Sequence, residues 1–232
     1  MIISVHQPQY LPWLGYFDKI AKSDCFIFLD GVQYKPREYQ NRNRIRTRDG
    51  ELWLTVPVVS KGRSRQKISE AVIDNEFPWQ RQHSKSLEVW YGKAPYFADH
   101  FPFFEDIYSK RWEKLSDLNV AIIRYILGRI SVSTPVRFES ELGIHAEATD
   151  RIIEICKKTG ADTYLSGAGG KAYLEEEKFG PSGIKLVYQD FHHPVYRQQF
   201  MKDEKDFLPY MSIVDLLFNE GPRAKEILGI RS

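Results

Sequence analysis

Ile2-Ile3-Ser4-Val5-His6-Gln7-Pro8-Gln9-Tyr10-Leu11-Pro12-Trp13-Leu14-Gly15-Tyr16-Phe17 stands at the start of the chain and decides its fold class. Ile2–Val5 is a short, largely β-branched run that suits a buried strand. Pro8 and Pro12 stiffen the loop behind it, and Gly15 allows a close approach of the backbone to another group. Trp13, Tyr16, Phe17, Ile20 and Ala21 then recur at helical spacing, which predicts a helix to about Lys22. Ser23-Asp24 interrupts that pattern, and Cys25–Leu29 predicts a second strand. Strand, helix and strand in this short span make a βαβ unit with parallel strands and a right-handed crossover. Ligands of open α/β sheets bind beyond the carboxyl ends of the strands, where this loop stands.

Downstream, Asn41–Arg48 and Glu51–Val58 are strand-like runs on either side of Asp49-Gly50, a strong hairpin signal. On an extended strand Arg42, Arg44, Arg46 and Arg48 share one face. Ser60–Gln66 is basic and poor in apolar residues, so a mobile loop is expected there. Helical spacing predicts Trp79–Trp90, Tyr96–Tyr108 and a longer helix through Leu115, Leu118, Ile122, Tyr125 and Ile126. Thr134–Phe138 returns to strand, and Thr149, Ile152, Ile153 and Cys156 mark a further helix stopped at Thr159-Gly160. Thr163–Ser166 is a strand feeding Gly167-Ala168-Gly169-Gly170 and a short helix. Ile184–Gln189 is another strand. A last helix carries Met211, Val214, Leu217 and Phe218, with Ser212 and Asp215 spaced as a cap. This alternation predicts an α/β fold with a mainly parallel, doubly wound sheet. We expect one domain over 1–232, with a basic hairpin and loop at 35–67 and a helical insertion or lid at 77–130.

With 232 residues, 42% of them hydrophobic, the chain can bury a substantial core. A mean hydropathy of −0.44 and the lack of a long apolar run argue against a membrane span. The start has neither a basic leader nor a long apolar stretch, so no signal peptide is expected. Cys25 and Cys156 lie in separate apolar runs, which suits buried free thiols in a reducing cytoplasm. Charge is unevenly placed. Residues 35–67 hold ten basic residues against three acids, a local +7, and the remainder of the chain is −5. A confined basic surface on an acidic body favours a small anionic ligand over nucleic acid.

Polar groups gather at several junctions and on the hairpin. In the first loop His6 follows strand one directly, where an imidazole acts as a base or binds phosphate, with Gln7, Tyr10 and Tyr16 beside it. Trp13, at helical spacing, reads as core. Asp30 ends strand two, the position at which an acid meets a ribose or polarises a nucleophile in doubly wound folds. On the hairpin, Arg42 and Arg44 suit a phosphate or carboxylate, with Asn41 nearby. Ser166, Gly167, Gly169 and Gly170 form a glycine turn whose amides suit an anion. The turn matches neither the Walker A pattern nor G-x-G-x-x-G, because Ala172 stands where each needs another residue. His193 and Tyr196 lie on a second polar, aromatic turn, and His193 is a second candidate base. No His or Cys pair has zinc-ligand spacing, so no protein-held metal is expected, while Mg²⁺ accompanying a phosphate remains open.

Five of these segments together resemble the WbqC-like protein family: His6–Phe17, Asp30-Gly31-Val32-Gln33-Tyr34, Gln40-Asn41-Arg42-Asn43, Tyr164-Leu165-Ser166-Gly167 and Ser212-Ile213-Val214-Asp215. The resemblance spans nearly the whole chain. It implies a part in bacterial surface-polysaccharide synthesis, including O-antigen, and an enzyme acting on activated sugars or their acyl or aminoacyl substituents. A second likeness is architectural. Strand, proline-bearing loop, Gly15, helix and strand is how nucleotidyltransferases with a His-x-Gly-His signature begin. Here the signature positions read Trp13-Leu14-Gly15-Tyr16, without either histidine.

The function expected from these observations is a cytoplasmic transferase that takes a phosphate-bearing or nucleotide-sugar substrate. The alternatives are a nucleotidyltransferase using a nucleoside triphosphate and a non-enzymatic nucleic-acid binder.

Overall fold

In a computed structural model of the chain, residues 1–63 and 65–230 are described. Ser64, within the basic loop expected to be mobile, lies outside them. Five strands form one parallel sheet: β1 (Ile2–His6), β2 (Cys25–Phe28), β5 (Val136–Phe138), β6 (Thr163–Ser166) and β7 (Lys185–Tyr188). Two more, β3 (Arg42–Thr47) and β4 (Gly50–Thr55), form a separate antiparallel hairpin. The helices are α1 (Leu14–Ala21), α2 (Trp79–Tyr91), α3 (Phe97–Ser109), α4 (Leu115–Arg129), α5 (Ala148–Thr159), α6 (Ile213–Glu220) and α7 (Ala224–Ile227).

The spatial order in the large sheet is β5-β2-β1-β6-β7, with every neighbouring pair parallel. The chain winds outward from β1 through β2 to β5, then crosses back and winds the other way through β6 to β7. Its direction therefore reverses between β1 and β6. In open α/β sheets this is the place where the carboxyl ends of two strands part and leave a crevice.

Alternation of side chains explains why β2 is buried throughout. Phe26 and Phe28 face a core built with α1, the α2–α4 helices and α6. Cys25 and Ile27 face the opposite core, with Ile3 and Val5 of β1 and Ile152, Ile153, Ile155 and Cys156 of α5. Both thiols are free and buried, and burial pushes Cys156 up to about 12, away from thiolate chemistry. Side chains of α2, α3 and α4 belong to the same continuous core as Leu14, Phe17 and Phe28. Among the described residues no helix is long and apolar enough to cross a membrane.

Two local expectations are corrected. The hairpin turns at Arg48-Asp49, because Thr47 pairs with Gly50. Gly50 takes φ 140°, a conformation that leaves it as the first residue of β4 and removes Arg48 from the arginine face. At α6, Ser212 caps through the Val214 amide, but Asp215 does not complete a capping box. Its buried carboxylate instead accepts from Tyr91 Oη at 2.8 Å, Tyr196 Oη at 2.7 Å and Gln198 Nε2 at 2.8 Å.

The first loop is tied down from several directions. Leu11 holds φ 45°, unusual for a residue with a side chain, and its carbonyl accepts from Asn43 Nδ2 at 2.7 Å. The Pro8 carbonyl accepts from Asn119 Nδ2 at 3.1 Å, and the Pro12 carbonyl from the Ile213 amide at 2.9 Å. The loop after β1 is thus fixed before any ligand arrives.

Candidate functional site

At the carboxyl ends of β1, β6 and β7 the crevice opens into a cavity of about 310 Å³. From the first loop and α1 come His6, Trp13, Gly15, Tyr16 and Lys19, and from the glycine turn Gly167, Ala168 and Gly169. Gln189, Asp190 and Phe191 follow β7. Trp13 is part-buried and forms a wall, with Phe191 edge-on at 5.4 Å between ring centres. Gly15 is required beneath it: a Cβ there would meet the Trp13 ring at 2.3 Å. A larger open groove of about 740 Å³ lies along α2 and α3, away from the strand ends. Its Lys85 and Lys110 already pair with Glu88 and Asp106.

At the floor of the smaller cavity sits a buried cationic side chain. Lys19 is 3% exposed. Its Nζ reaches His6 Nδ1 at 2.9 Å and donates to the Val5 carbonyl at 3.2 Å. Among the described residues no carboxylate pairs with it. Neighbouring Asp18 is taken, accepting from Lys22 at 2.9 Å and from Gln189 Nε2 at 2.6 Å. Burial pulls Lys19 down from its ordinary 10.5 to about 7. Burial, and then the Lys19 charge, push His6 well below the usual imidazole range, so the ring is neutral. A charged Lys19 can only donate to Nδ1, which puts the His6 proton on Nε2, 3.4 Å from the Gln9 side-chain amide. Because an amide nitrogen only donates, that proton is received by the Gln9 oxygen, with the amide turned over. Turning the amide also engages Gln9 Oε1, which is otherwise buried without a partner among the described residues. His6, half-buried against the Tyr16 ring at 5.0 Å, thus links Gln9 to Lys19.

The structure brings four of the sequence-derived candidates to this cavity: His6, Tyr16, Gly167 and Gly169. Tyr16 donates from Oη to the Gln7 carbonyl at 3.1 Å, and the Gln7 side chain accepts from Gln40. Ser166 and Gly170 sit beneath the turn, with Ser166 Oγ donating to the Gly167 carbonyl at 3.0 Å. Of the others, His193 stands behind the aromatic wall, its ring 6.5 Å from that of Trp13 and 6.0 Å from that of Phe191, and the rest lie elsewhere. Tyr10 is buried between the helices, bonded to His83 at 2.7 Å and Tyr108 at 2.6 Å. Asp30 is bound by the Ser140 amide at 3.0 Å and hydroxyl at 2.7 Å. Asn41 donates to the Val56 carbonyl. Arg42 lies over the Trp53 ring at 4.4 Å, and Arg44 pairs with Glu51 at 2.7 Å. His193 uses both nitrogens locally, Nδ1 to the Pro194 carbonyl at 2.9 Å and Nε2 accepting from the Tyr210 amide at 3.1 Å. Tyr196 serves Asp215.

Lys19, Gln189 and Phe191 were not singled out by sequence. Lys19 had a usable signal, since it falls one helical turn after Gly15 and three residues after Tyr16, on the face that meets the loop. Among the described residues no cluster of three His, Cys, Asp or Glu side chains is arranged for a metal.

Comparison with known proteins agrees with the extent of this architecture. The family model for WbqC-like proteins matches residues 7–227, which includes the first loop, the hairpin and the glycine turn. The chain belongs to the WbqC-like protein family. This WbqC-like chain is also 36% identical over 228 residues to the uncharacterized protein Rv1507c of Mycobacterium tuberculosis (strain ATCC 25618 / H37Rv), covering 97% of this chain and 96% of that one. No solved structure matches it. In this WbqC-like fold the switch-point cavity joins a buried amine, a neutral imidazole, a glycine turn and an aromatic wall.

Proposed function

We propose that the chain binds a phosphate-bearing, nucleotide-linked sugar in the switch-point cavity and transfers the sugar, or an acyl or aminoacyl substituent on it, in bacterial surface-polysaccharide synthesis. The observation that carries the phosphate part is Lys19, a buried amine with no carboxylate partner among the described residues, set beside Gly167–Gly169. An anion placed there gains both the amine and the turn amides in a poorly hydrated site. Trp13 and Phe191 offer flat apolar surface for a base or a sugar ring. His6 and Lys19 form the pair that handles protons. Asp190 is the one carboxylate lining the cavity among the described residues, so Mg²⁺ would come bound to the ligand's phosphates. Membership of the WbqC-like family supports the polysaccharide setting.

The strand order also favours a second reading, a nucleotidyltransferase using a nucleoside triphosphate. Against it, the signature histidine positions hold Trp13 and Tyr16, and the Trp13 ring covers Gly15.

A thermal-shift panel of nucleotides, nucleotide-sugars and acyl or aminoacyl donors tests these ideas. Nucleotide-sugars should stabilise the protein, by about 2.7 kcal/mol at a hundredfold excess over Kd. Lys19→Met should abolish the shift. Silence across the whole panel would remove the proposal, and pyrophosphate release from a triphosphate would favour the alternative.

A further inference from the structure

We infer that Lys19 is the counter-charge to a phosphate dianion in this cavity, and that it must take up a proton to bind it. Resting on the phosphate proposal, this inference deepens it: the substrate class is a phosphate dianion, and its affinity is governed by the protonation of one lysine.

The geometry comes first. One turn after Gly15, α1 points Lys19 at the end of β1, where it meets His6 Nδ1 and the Val5 carbonyl. Those two bonds use two of the amine's directions and leave the third toward the glycine turn. A Cβ on Gly167 would lie 3.9 Å from Nζ. A neutral amine satisfies both acceptors, with its lone pair facing the cavity. A charged one has a third proton there and needs an anion to receive it.

The titratable and charged groups around Lys19 come from β1, α1, the residues after β7 and the glycine turn. From β1 it faces His6, held neutral by burial and by Lys19 itself. On its own helix it faces Tyr16, whose hydroxyl burial keeps protonated, while Asp18 is committed to Lys22 and Gln189. After β7, Asp190 stands at the exposed mouth beside His192 at 3.5 Å. From the glycine turn, Lys171 lies over the Tyr188 ring at 5.1 Å. Free of ligand, Lys19 sheds its proton near neutral pH because burial disfavours the charge. A dianion at Nζ reverses that balance, so binding and protonation are linked.

Sulfate is a suitable probe, because it is a dianion that does not titrate in this range. Its affinity is measured by thermal shift on the full chain against chloride at matched ionic strength. For the unmodified protein the affinity should fall about tenfold between about pH 8 and about pH 9, the slope of one linked proton. Lys19→Arg keeps a charge that does not titrate here, so its affinity should stay flat. Lys19→Met should bind at least about tenfold more weakly at every pH; losing a buried charge, it should fold well. Sulfate bound with pH-independent affinity by the unmodified protein, or equally well by Lys19→Met, overturns the Lys19 inference and leaves the phosphate proposal standing. No sulfate binding at about pH 6.5 overturns both.

Discussion

Lys19 is 3% exposed, yet it follows a helical stripe that the sequence presents as apolar packing. The eight-residue α1 is buried on nearly every side, from Leu14 to Ile20. Periodicity identifies the stripe facing the sheet, but it does not report that neighbouring elements cover the opposite side. Asp18 and Lys19 fall outside the apolar stripe, so nothing in the spacing marks them as buried. For His193 the partner was the illegible part, because a residue before proline in an aromatic turn carries no sign that the Tyr210 amide, seventeen positions later, donates to its Nε2. A stability measurement checks the burial of Lys19 without any ligand. Below about pH 7 both folded and unfolded chains hold its proton. Between 7 and 10.5 the unfolded chain holds a proton that the folded chain has lost, so this group makes stability rise with pH. The difference between the unmodified protein and Lys19→Met should climb by up to about 1.4 kcal/mol per pH unit across that window. Urea unfolding at a series of pH values reads it; parallel stabilities would show that Lys19 is not buried as a titrating amine.

At the level of elements, the sequence places strands well because their burial is simple: Thr163–Ser166 coincides with β6. Hairpin chemistry was harder. Asp-Gly is a turn signal, but here the glycine supplies φ 140° to the first ladder pair, and the turn moves one residue back. The arginine strand was readable as a face, but the internal partners of its arginines were not. Arg46 is buried and donates to Gln198 Oε1 at 2.8 Å and to the carbonyls of Gln199 and Asp206. The glycine turn allows a direct test of packing between β6 and the residues after it. A Cβ on Gly170 would lie 2.1 Å from Ser166 Oγ and 3.0 Å from Leu174 Cδ1. Gly170→Ala should therefore cost about 1–3 kcal/mol. Ser166→Ala removes the clashing oxygen, so the double variant should recover most of that loss. A double-mutant cycle by chemical denaturation gives the coupling, and strictly additive effects would show that the turn does not pack on Ser166 in this way.

For the molecule as a whole, composition locates a basic region but does not say how much of its charge is free. Residues 35–67 carry a net +7, enough to attract a polyanion if every charge faced water. Folding withdraws several of them. Arg42 and Arg44 stack on Trp53, Arg44 is paired with Glu51, Arg46 serves buried acceptors, and Arg48 lies over Phe200 at 5.9 Å. None of the hairpin residues lines the switch-point cavity, so the basic surface and the candidate site are separate features. Each phosphate contact on a nucleic acid depends on a cation able to displace counterions, and cations held by internal partners contribute less to that exchange. The chain should accordingly form no stable complex with DNA or RNA at about 0.15 M salt, where screening has weakened surface attraction. A gel shift titrated from low to physiological ionic strength measures this. Binding that survives at the upper end would mean that the remaining exposed lysines and arginines form a continuous track, and would return a nucleic-acid role to consideration. Loss of binding with salt, alongside ligand-induced stabilisation at the cavity, would assign recognition to the crevice between β1 and β6.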